Sequence, residues 1–180
     1  MNQYTRMIVV LLVLSVLSGA ILAFSYEITN PKIQEQAQKN LQKAIMSVIP
    51  GCTKYEEVEK GGMTFYIGLD DQGNKKGIAF KASGTGFGGP IEMMVGYNPK
   101  EGKLTGLEIL SMQETPGLGA RITEPAFKEQ FKGKSVKDQF KAKEDVKVIT
   151  GATISPTAVA NGIKSALDKV VKIYPVGGDY

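Results

Sequence analysis

The chain has 180 residues, of which 42% are hydrophobic and 22% charged, and its formal net charge is +4 at pH 7. Its single cysteine, Cys52, and its lack of histidine exclude an intrachain disulfide, a Ser-His or Cys-His catalytic arrangement and an iron–sulfur cluster held by this chain alone. The modest positive charge comes without a basic cluster interleaved with aromatic residues, so we expect no nucleic-acid binding. Cys52 is interpreted as an inert small residue.

The first predicted element is an uncharged apolar segment from Met7 to Tyr26. A helix of this length, at about 1.5 Å per residue, spans about 30 Å, which is the thickness of the hydrocarbon core of a bilayer. A cleaved signal peptide would also follow a positive residue such as Arg6, but its apolar core has only roughly 7–15 residues. We therefore predict an uncleaved transmembrane helix at 7–26, between a short tail at 1–6 and a domain at 27–180.

The flanking charges predict the orientation of this helix. Arg6 and the α-amino group precede it, and Glu27 is the first charge after it. The positive-inside rule then places the tail in the cytoplasm and the domain outside. The membrane segment itself carries no charged residue.

A second helix is predicted to begin at Asn30-Pro31 and to run to about Val48, where Pro50-Gly51 ends it. Apolar residues recur along it at spacings of three and four, which predicts one stripe packed on a sheet. The stripe consists of Ile33, Ala37, Leu41, Ala44, Ile45 and Val48.

Four strands are predicted next, at 63–68, 77–81, 91–97 and 104–111. Turn-forming residues at 70–74 and 98–102 join neighbouring strands, so we expect an antiparallel meander. The glycine-rich segment Ser83 to Pro90 either lets a ligand approach the backbone closely or forms a flexible loop, and it is interpreted as a loop. The predicted fold class is α+β: an antiparallel sheet packed with helices, preceded by one N-terminal transmembrane helix.

In the last third of the chain, the sequence pattern predicts a short helix at 125–131, a short strand at 146–149 and a final helix from Pro156 to about Ile173. Ser155 is the expected N-cap, because its hydroxyl can accept a hydrogen bond from the first turn. The apolar face of the final helix is Val159, Ile163, Leu167, Val170 and Val171.

Two short runs carry the functional argument. Thr150-Gly151-Ala152-Thr153 directly precedes the final helix, where the helix dipole and unpaired amides favour a negative charge. We expect the amides of Thr157 and Ala158 to face a phosphate there. The second run, Glu114 to Gly119, lies between a strand and the short helix. Taken alone, the first run also fits an ordinary helix-entry turn, and the second fits a plain Pro-Gly turn.

Together the two runs resemble those of the flavin-binding G subunits of the Rnf complex, a membrane electron-transfer complex. The related C subunit of the sodium-pumping NADH:quinone oxidoreductase shares the flavin-binding domain. The resemblance covers nearly the whole chain and implies FMN attached to Thr153 through a phosphoester bond. The other FMN-binding residues that it implies are Thr150, Gly151, Ala152, Glu114, Thr115, Gly117, Leu118 and Gly119, with no catalytic acid or base and no metal ligand.

Specific roles follow from the resemblance as hypotheses. Gly117 and Gly119 would let the backbone approach the flavin ring, and Leu118 would cover a ring face. Thr115 would hydrogen-bond the pyrimidine edge, while Glu114 would orient the loop.

The resemblance also implies partners and a location. The implied function is electron transfer in a ferredoxin:NAD⁺ oxidoreductase coupled to Na⁺ or H⁺ movement. The implied partners are the other membrane and redox subunits of the complex and a separate flavin transferase that makes the bond from FAD. The implied location is the cytoplasmic membrane, with the domain facing the periplasm or cell exterior.

One departure from the family pattern keeps alternatives open. The family usually carries Asp three residues before the first Ser/Thr of the attachment motif, and Lys147 stands there, with Glu144 and Asp145 out of register. The alternatives are the C subunit of a sodium-pumping NADH:quinone reductase and a membrane-anchored structural or binding module without flavin.

Overall fold

The computed structural model describes residues 2–178 and 180. It divides after Asn40 into two compact units. The first unit consists of most of a single long helix, α1 (Gln3–Val48), which is long and apolar enough to cross a membrane. The second unit, from Leu41 onwards, contains the end of α1 and the whole α+β domain.

The predicted start of a second helix at Asn30-Pro31 is wrong, because Pro31 lies inside the continuous α1. An interior proline removes one backbone hydrogen bond and costs about 3 kcal/mol, but the turns on either side keep their own bonds. The predicted apolar stripe is buried only at its end, where Ala44, Ile45 and Val48 are inaccessible, whereas Ile33 is 60% exposed. The amphipathic pattern therefore extends beyond the part of α1 that packs on the sheet.

The predicted antiparallel meander is confirmed as a five-stranded sheet in the order β1-β2-β3-β4-β5. The strands are β1 (Lys54–Lys60), β2 (Met63–Leu69), β3 (Lys75–Thr85), β4 (Pro90–Asn98) and β5 (Lys103–Ser111). Strand β1 was not predicted, because this edge strand is mostly charged and buries none of its residues fully. The glycine-rich segment is a loop only in part, since its first three residues extend β3.

Short helices follow the sheet: a 3₁₀ turn (Gly119–Thr123), α2 (Pro125–Lys128) with a second 3₁₀ turn (Glu129–Phe131), and the final α3 (Ile154–Ile173). The predicted short helix at 125–131 is thus confirmed. The predicted strand at 146–149 is wrong, because the segment makes only single bridges. The side chain of Gln130 accepts a hydrogen bond from the amide of Lys147, at 2.7 Å, and donates one to its carbonyl, at 3.4 Å. The side-chain amide of Gln130 therefore takes the place of a neighbouring strand.

The sheet is covered on both faces. On one face the end of α1 packs against Tyr66, Ala79 and Met94, and the Thr105 hydroxyl donates to the Val48 carbonyl at 2.5 Å. On the other face α3 buries the predicted Val159, Ile163, Leu167 and Val170, while Val171 is half-buried. This second layer fixes the start of α3 beside the β3–β4 turn.

The segment preceding α3 is anchored by Asp145. Its carboxylate accepts hydrogen bonds from the amides of Phe140, at 2.9 Å, and Lys141, and lies 3.6 Å from Lys134 Nζ. Phe140 is buried with a positive φ of 53°, so its backbone conformation depends on these bonds. Burial alone would raise the pKa of Asp145, but the two amides and the ammonium outweigh it, and the pKa lies below its ordinary value.

We therefore expect Asp145→Asn to lower the free energy of unfolding at pH 7 by about 1–3 kcal/mol, since charge-assisted hydrogen bonds are lost. A carboxylate with a depressed pKa stabilises the fold above its unfolded pKa of about 3.9, and this stabilisation disappears as the pH falls through the folded value. The difference between wild type and variant should therefore shrink below about pH 4. Urea unfolding of the full chain in detergent, followed by circular dichroism from pH 7 to 3, measures it. Equal stability at pH 7 would contradict this account.

Candidate functional site

A cavity of about 410 Å³ lies where the β3–β4 turn, the loop after β5 and the turn before α3 meet. Its volume is in the range of small-molecule sites, roughly 300–1,000 Å³. It is lined by Phe87, Glu114, Thr115, Leu118, Gly119, Gly151, Ala152, Thr153, Ile154 and Ser155. Residues of both sequence runs thus meet at one cavity.

The start of α3 differs from the prediction. Thr153 is exposed and occupies the N-cap position, with no hydrogen bond from its side chain to the helix. Ser155 is not the cap: it is 2% exposed and its hydroxyl donates to Glu114 Oε2 at 2.5 Å. The amide of Thr157 donates to the Thr153 carbonyl at 3.2 Å, so it is not available to a ligand.

The helix begins two residues earlier than predicted, and this changes which amides are available. The first turn of a helix leaves its amides without partners inside the helix. In α3 these first amides belong to Ile154 and Ser155, while Thr157 and Ala158 already lie within the hydrogen-bonded part. The expectation that Thr157 and Ala158 face a phosphate is therefore wrong.

The turn before α3 is shaped by Gly151, whose φ of 82° lies in the left-handed region that favours glycine. A Cβ at this position would lie 3.5 Å from Leu118 Cδ2, so the two sequence runs touch here. Ala152 continues the turn, and its amide donates to the Ile149 carbonyl at 3.0 Å. Thr150 is exposed and does not line the cavity.

Within the second run, Glu114 is buried, with 8% of its surface exposed, while Thr115 and Leu118 face the cavity. A Cβ on Gly119 would lie 2.4 Å from Glu114 Oε2 and 2.5 Å from the Ser155 hydroxyl oxygen. Gly119 therefore makes room for these side chains, and it also lines the cavity. Gly117 does not line the cavity. Its φ of 76° lies in the left-handed region, so the turn at this position favours glycine.

Three exposed apolar side chains surround the cavity. Phe87 is 76% exposed, Ile154 53% and Leu118 46%. Beyond α1, the part of the chain that the structure describes has only one other exposed large apolar side chain, Val176. Exposed apolar groups gathered at one cavity mark a binding site.

Sequence reasoning missed three lining residues: Phe87, Ile154 and Ser155. Phe87 carried a usable signal, because it is a lone aromatic residue among the glycines of the β3–β4 turn. Ile154 carried one too, as an apolar residue directly before a Ser-Pro helix start. The role of Ser155 had no local signal, since its partner Glu114 is 41 residues away.

Comparison with known families places the cavity in a defined domain. Residues 86–168 match the family model described as FMN-binding domain, and this range contains every cavity-lining residue. The G subunit of the ion-translocating oxidoreductase complex of Methanosarcina acetivorans is 32% identical, over 94% of this chain and 95% of the relative. The G subunit of the proton-translocating ferredoxin:NAD(+) oxidoreductase complex of Clostridium ljungdahlii is 37% identical, over 86% and 84%.

Among solved structures, the C subunit of the Na(+)-translocating NADH-quinone reductase from Parabacteroides distasonis has the same fold, with a TM-score of 0.61. The match covers 79% of this chain and 96% of that chain. Since the sequence identity is 19%, the similarity concerns the fold alone.

Proposed function

The chain belongs to the family of G subunits of ion-translocating oxidoreductase complexes, and we propose that its cavity holds FMN joined to Thr153 by a phosphoester bond. As a member of this family it is an electron-transfer subunit of a membrane-bound, ion-translocating ferredoxin:NAD⁺ oxidoreductase of the Rnf type, and it binds FMN. The other subunits of that complex are its partners. One observation carries the proposal: both sequence runs line a single cavity within the FMN-binding domain.

The residues of the cavity fit the parts of FMN. The exposed Thr153 hydroxyl and the first amides of the 20-residue α3 favour a phosphate group at one end. The apolar side chains of Phe87, Leu118 and Ile154 suit a planar aromatic ring. When bound, FMN supplies one- and two-electron chemistry that this chain's own side chains lack.

We assign roles to the remaining residues on the same basis. Gly151 and Ala152 leave space beside Thr153 for the ribityl chain, and Thr115 can hydrogen-bond the ring's polar edge. Thr150 and Gly117, which lie outside the lining, support the site through the turns to which they belong.

Attachment requires an enzyme that acts on Thr153 from outside. The Thr153 oxygen would bond to the FMN-side phosphorus of FAD, the pyrophosphate bond would break, and AMP would leave. The protein has no histidine to serve as a base, which fits activation of the hydroxyl by a separate flavin transferase. The exposure of Thr153 gives such an enzyme access.

Lys147 lies six residues before Thr153, at the position where the family usually carries Asp. Its side chain is exposed, it does not line the cavity, and its backbone is held by Gln130. We expect Lys147→Asp, which restores the family's usual acid, to raise the rate of flavin attachment about fivefold, because a surface charge pair contributes up to about 1 kcal/mol. Time-resolved intact-mass analysis with purified transferase and FAD measures the rate. Lys137→Asp, at another exposed lysine, is the matched control, and equal rates for both variants would contradict the expectation.

We place the chain in the cytoplasmic membrane through residues 7–26 of α1, with the tail at 1–6 inside and the domain from residue 27 outside. An external domain has no pool of cytoplasmic FMN, so a covalent bond keeps the cofactor in its cavity at high effective concentration. Protease added to intact spheroplasts should digest the domain. Digestion only in inverted vesicles would show the opposite orientation, with the domain in the cytoplasm.

The presence of covalently bound flavin distinguishes the proposed electron-transfer function from the alternative, a structural module without cofactor. The full chain, co-expressed with an active flavin transferase, should give a fluorescent band on a denaturing gel, since a phosphoester survives unfolding. An unlabelled band, with the transferase active on a control substrate, would favour the structural module or noncovalent FMN.

A further inference from the structure

The carboxylate of Glu114 touches each of the three segments that form the cavity. Glu114 itself belongs to the loop after β5. Its Oε1 accepts a hydrogen bond from the amide of Gly88, at 3.0 Å, in the β3–β4 turn. Its Oε2 accepts the hydroxyl of Ser155, at 2.5 Å, in the first turn of α3. One side chain therefore joins the loop after β5 to the β3–β4 turn and to the start of α3.

Backbone packing holds this carboxylate in place on two sides. A Cβ on Gly86 would lie 2.2 Å from Glu114 Oε1, and a Cβ on Gly119 would lie 2.4 Å from Oε2. A Cβ at either position would force the carboxylate to move, so glycine at 86 and 119 lets the backbone lie this close to it. The carboxylate therefore lies closely packed between the backbones of the two loops.

The two hydrogen bonds hold segments that carry cavity-lining residues. Gly88 follows Phe87, so the bond to its amide fixes the turn that carries this aromatic side chain. Ser155 lies two residues after Thr153, so the bond to its hydroxyl fixes the helix start that carries the attachment hydroxyl.

We propose that Glu114 is the positioning residue of the flavin site, which acts by joining the Phe87 turn to the Thr153 helix start. This inference rests on the proposed function and refines the role of Glu114 expected from the sequence. The proposed positioning role requires the two hydrogen bonds of Glu114 and does not require the negative charge of its carboxylate. A glutamine at 114 can keep its carbonyl on Gly88 and donate its amide to the Ser155 oxygen.

The variants to compare are Glu114→Ala, Glu114→Gln and Ser155→Ala in the full chain, co-expressed with a flavin transferase. Glu108→Ala is the matched control, since Glu108 lies on β5 outside the cavity and pairs with Lys128 at 2.8 Å. Two quantities are measured: amide hydrogen exchange of peptides covering 84–90 and 152–158, and visible circular dichroism of the attached flavin.

For Glu114→Ala we expect about tenfold faster exchange in both peptides, because the partly buried amide of Gly88 and the buried hydroxyl of Ser155 lose their acceptor. The visible circular dichroism should fall to less than about half, as the walls no longer hold the ring in one orientation. Glu114→Gln should resemble wild type in both measurements. Ser155→Ala should speed exchange only in 152–158 and weaken the flavin signal, which tests the proposal even when Glu114→Ala does not fold.

Wild-type behaviour of Glu114→Ala and Ser155→Ala would overturn the proposal, as would a Glu114→Gln variant as defective as Glu114→Ala. If the wild-type chain carries no flavin while the transferase is active, the proposed function fails instead. The exchange measurement still tests the positioning role of Glu114 in that case.

Discussion

Thr153→Ala is expected to remove all covalently bound flavin and to reduce the ferredoxin:NAD⁺ activity of the assembled complex to background. Thr153 is the exposed hydroxyl at the start of α3. The nearby hydroxyl of Ser155 is buried and engaged by Glu114. Without the tether the electron path through this subunit is interrupted, while the fold loses only an exposed side chain.

Two neighbouring threonines provide controls for Thr153→Ala. Thr150 lies outside the cavity lining, and the Thr157 hydroxyl donates to the Thr153 carbonyl at 2.8 Å. Thr150→Ala and Thr157→Ala should both keep the covalent flavin. Activity is measured in membranes together with the assembly of the complex. A Thr153→Ala complex that assembles and keeps its activity would show that the chain has a structural role only.

Gly84→Ala is expected to lower the free energy of unfolding by more than about 3 kcal/mol, a large part of a domain's roughly 5–15 kcal/mol. A Cβ on Gly84 would lie 2.0 Å from the carbonyl oxygen of Ala158. The obstacle is helix backbone, so relief requires α3 to move off β3. Gly162 makes the same approach from the helix, where a Cβ would lie 2.5 Å from the Ser83 carbonyl oxygen.

Urea unfolding of the full chain in detergent measures this loss. Ser83→Ala is the matched control, because its exposed side chain lies next to Gly84 on the same strand. It should change stability by less than about 0.5 kcal/mol. A Gly84→Ala chain as stable as this control would contradict the close packing of α3 on β3.

The fold was predictable wherever burial leaves a regular pattern. Strands β2 to β5 carry short apolar runs between turn signals, and α3 repeats apolar residues every three or four positions. Strand β1 has a charged sequence at the sheet edge and shows no such pattern. The helix start predicted at Asn30-Pro31 was wrong, because a long helix can contain a single proline in its interior.

The site was predictable as two sequence runs but not as a network. Ser155-Pro156 has the local pattern of a helix cap, yet the Ser155 hydroxyl bonds the distant Glu114, and the helix begins earlier. Phe87 lines the cavity next to Gly88, whose amide donates to the same carboxylate. Such tertiary contacts have no local sequence signal.

The attachment of FMN to Thr153 is tested most directly by peptide mapping of the chain isolated from membranes that contain an active flavin transferase. Trypsin releases residues 148–164 as one peptide, which contains Thr150, Thr153, Ser155 and Thr157. We predict that this peptide carries the mass of FMN less one water and that fragmentation locates it on Thr153. An unmodified peptide, or FMN on another residue, would contradict the proposed site.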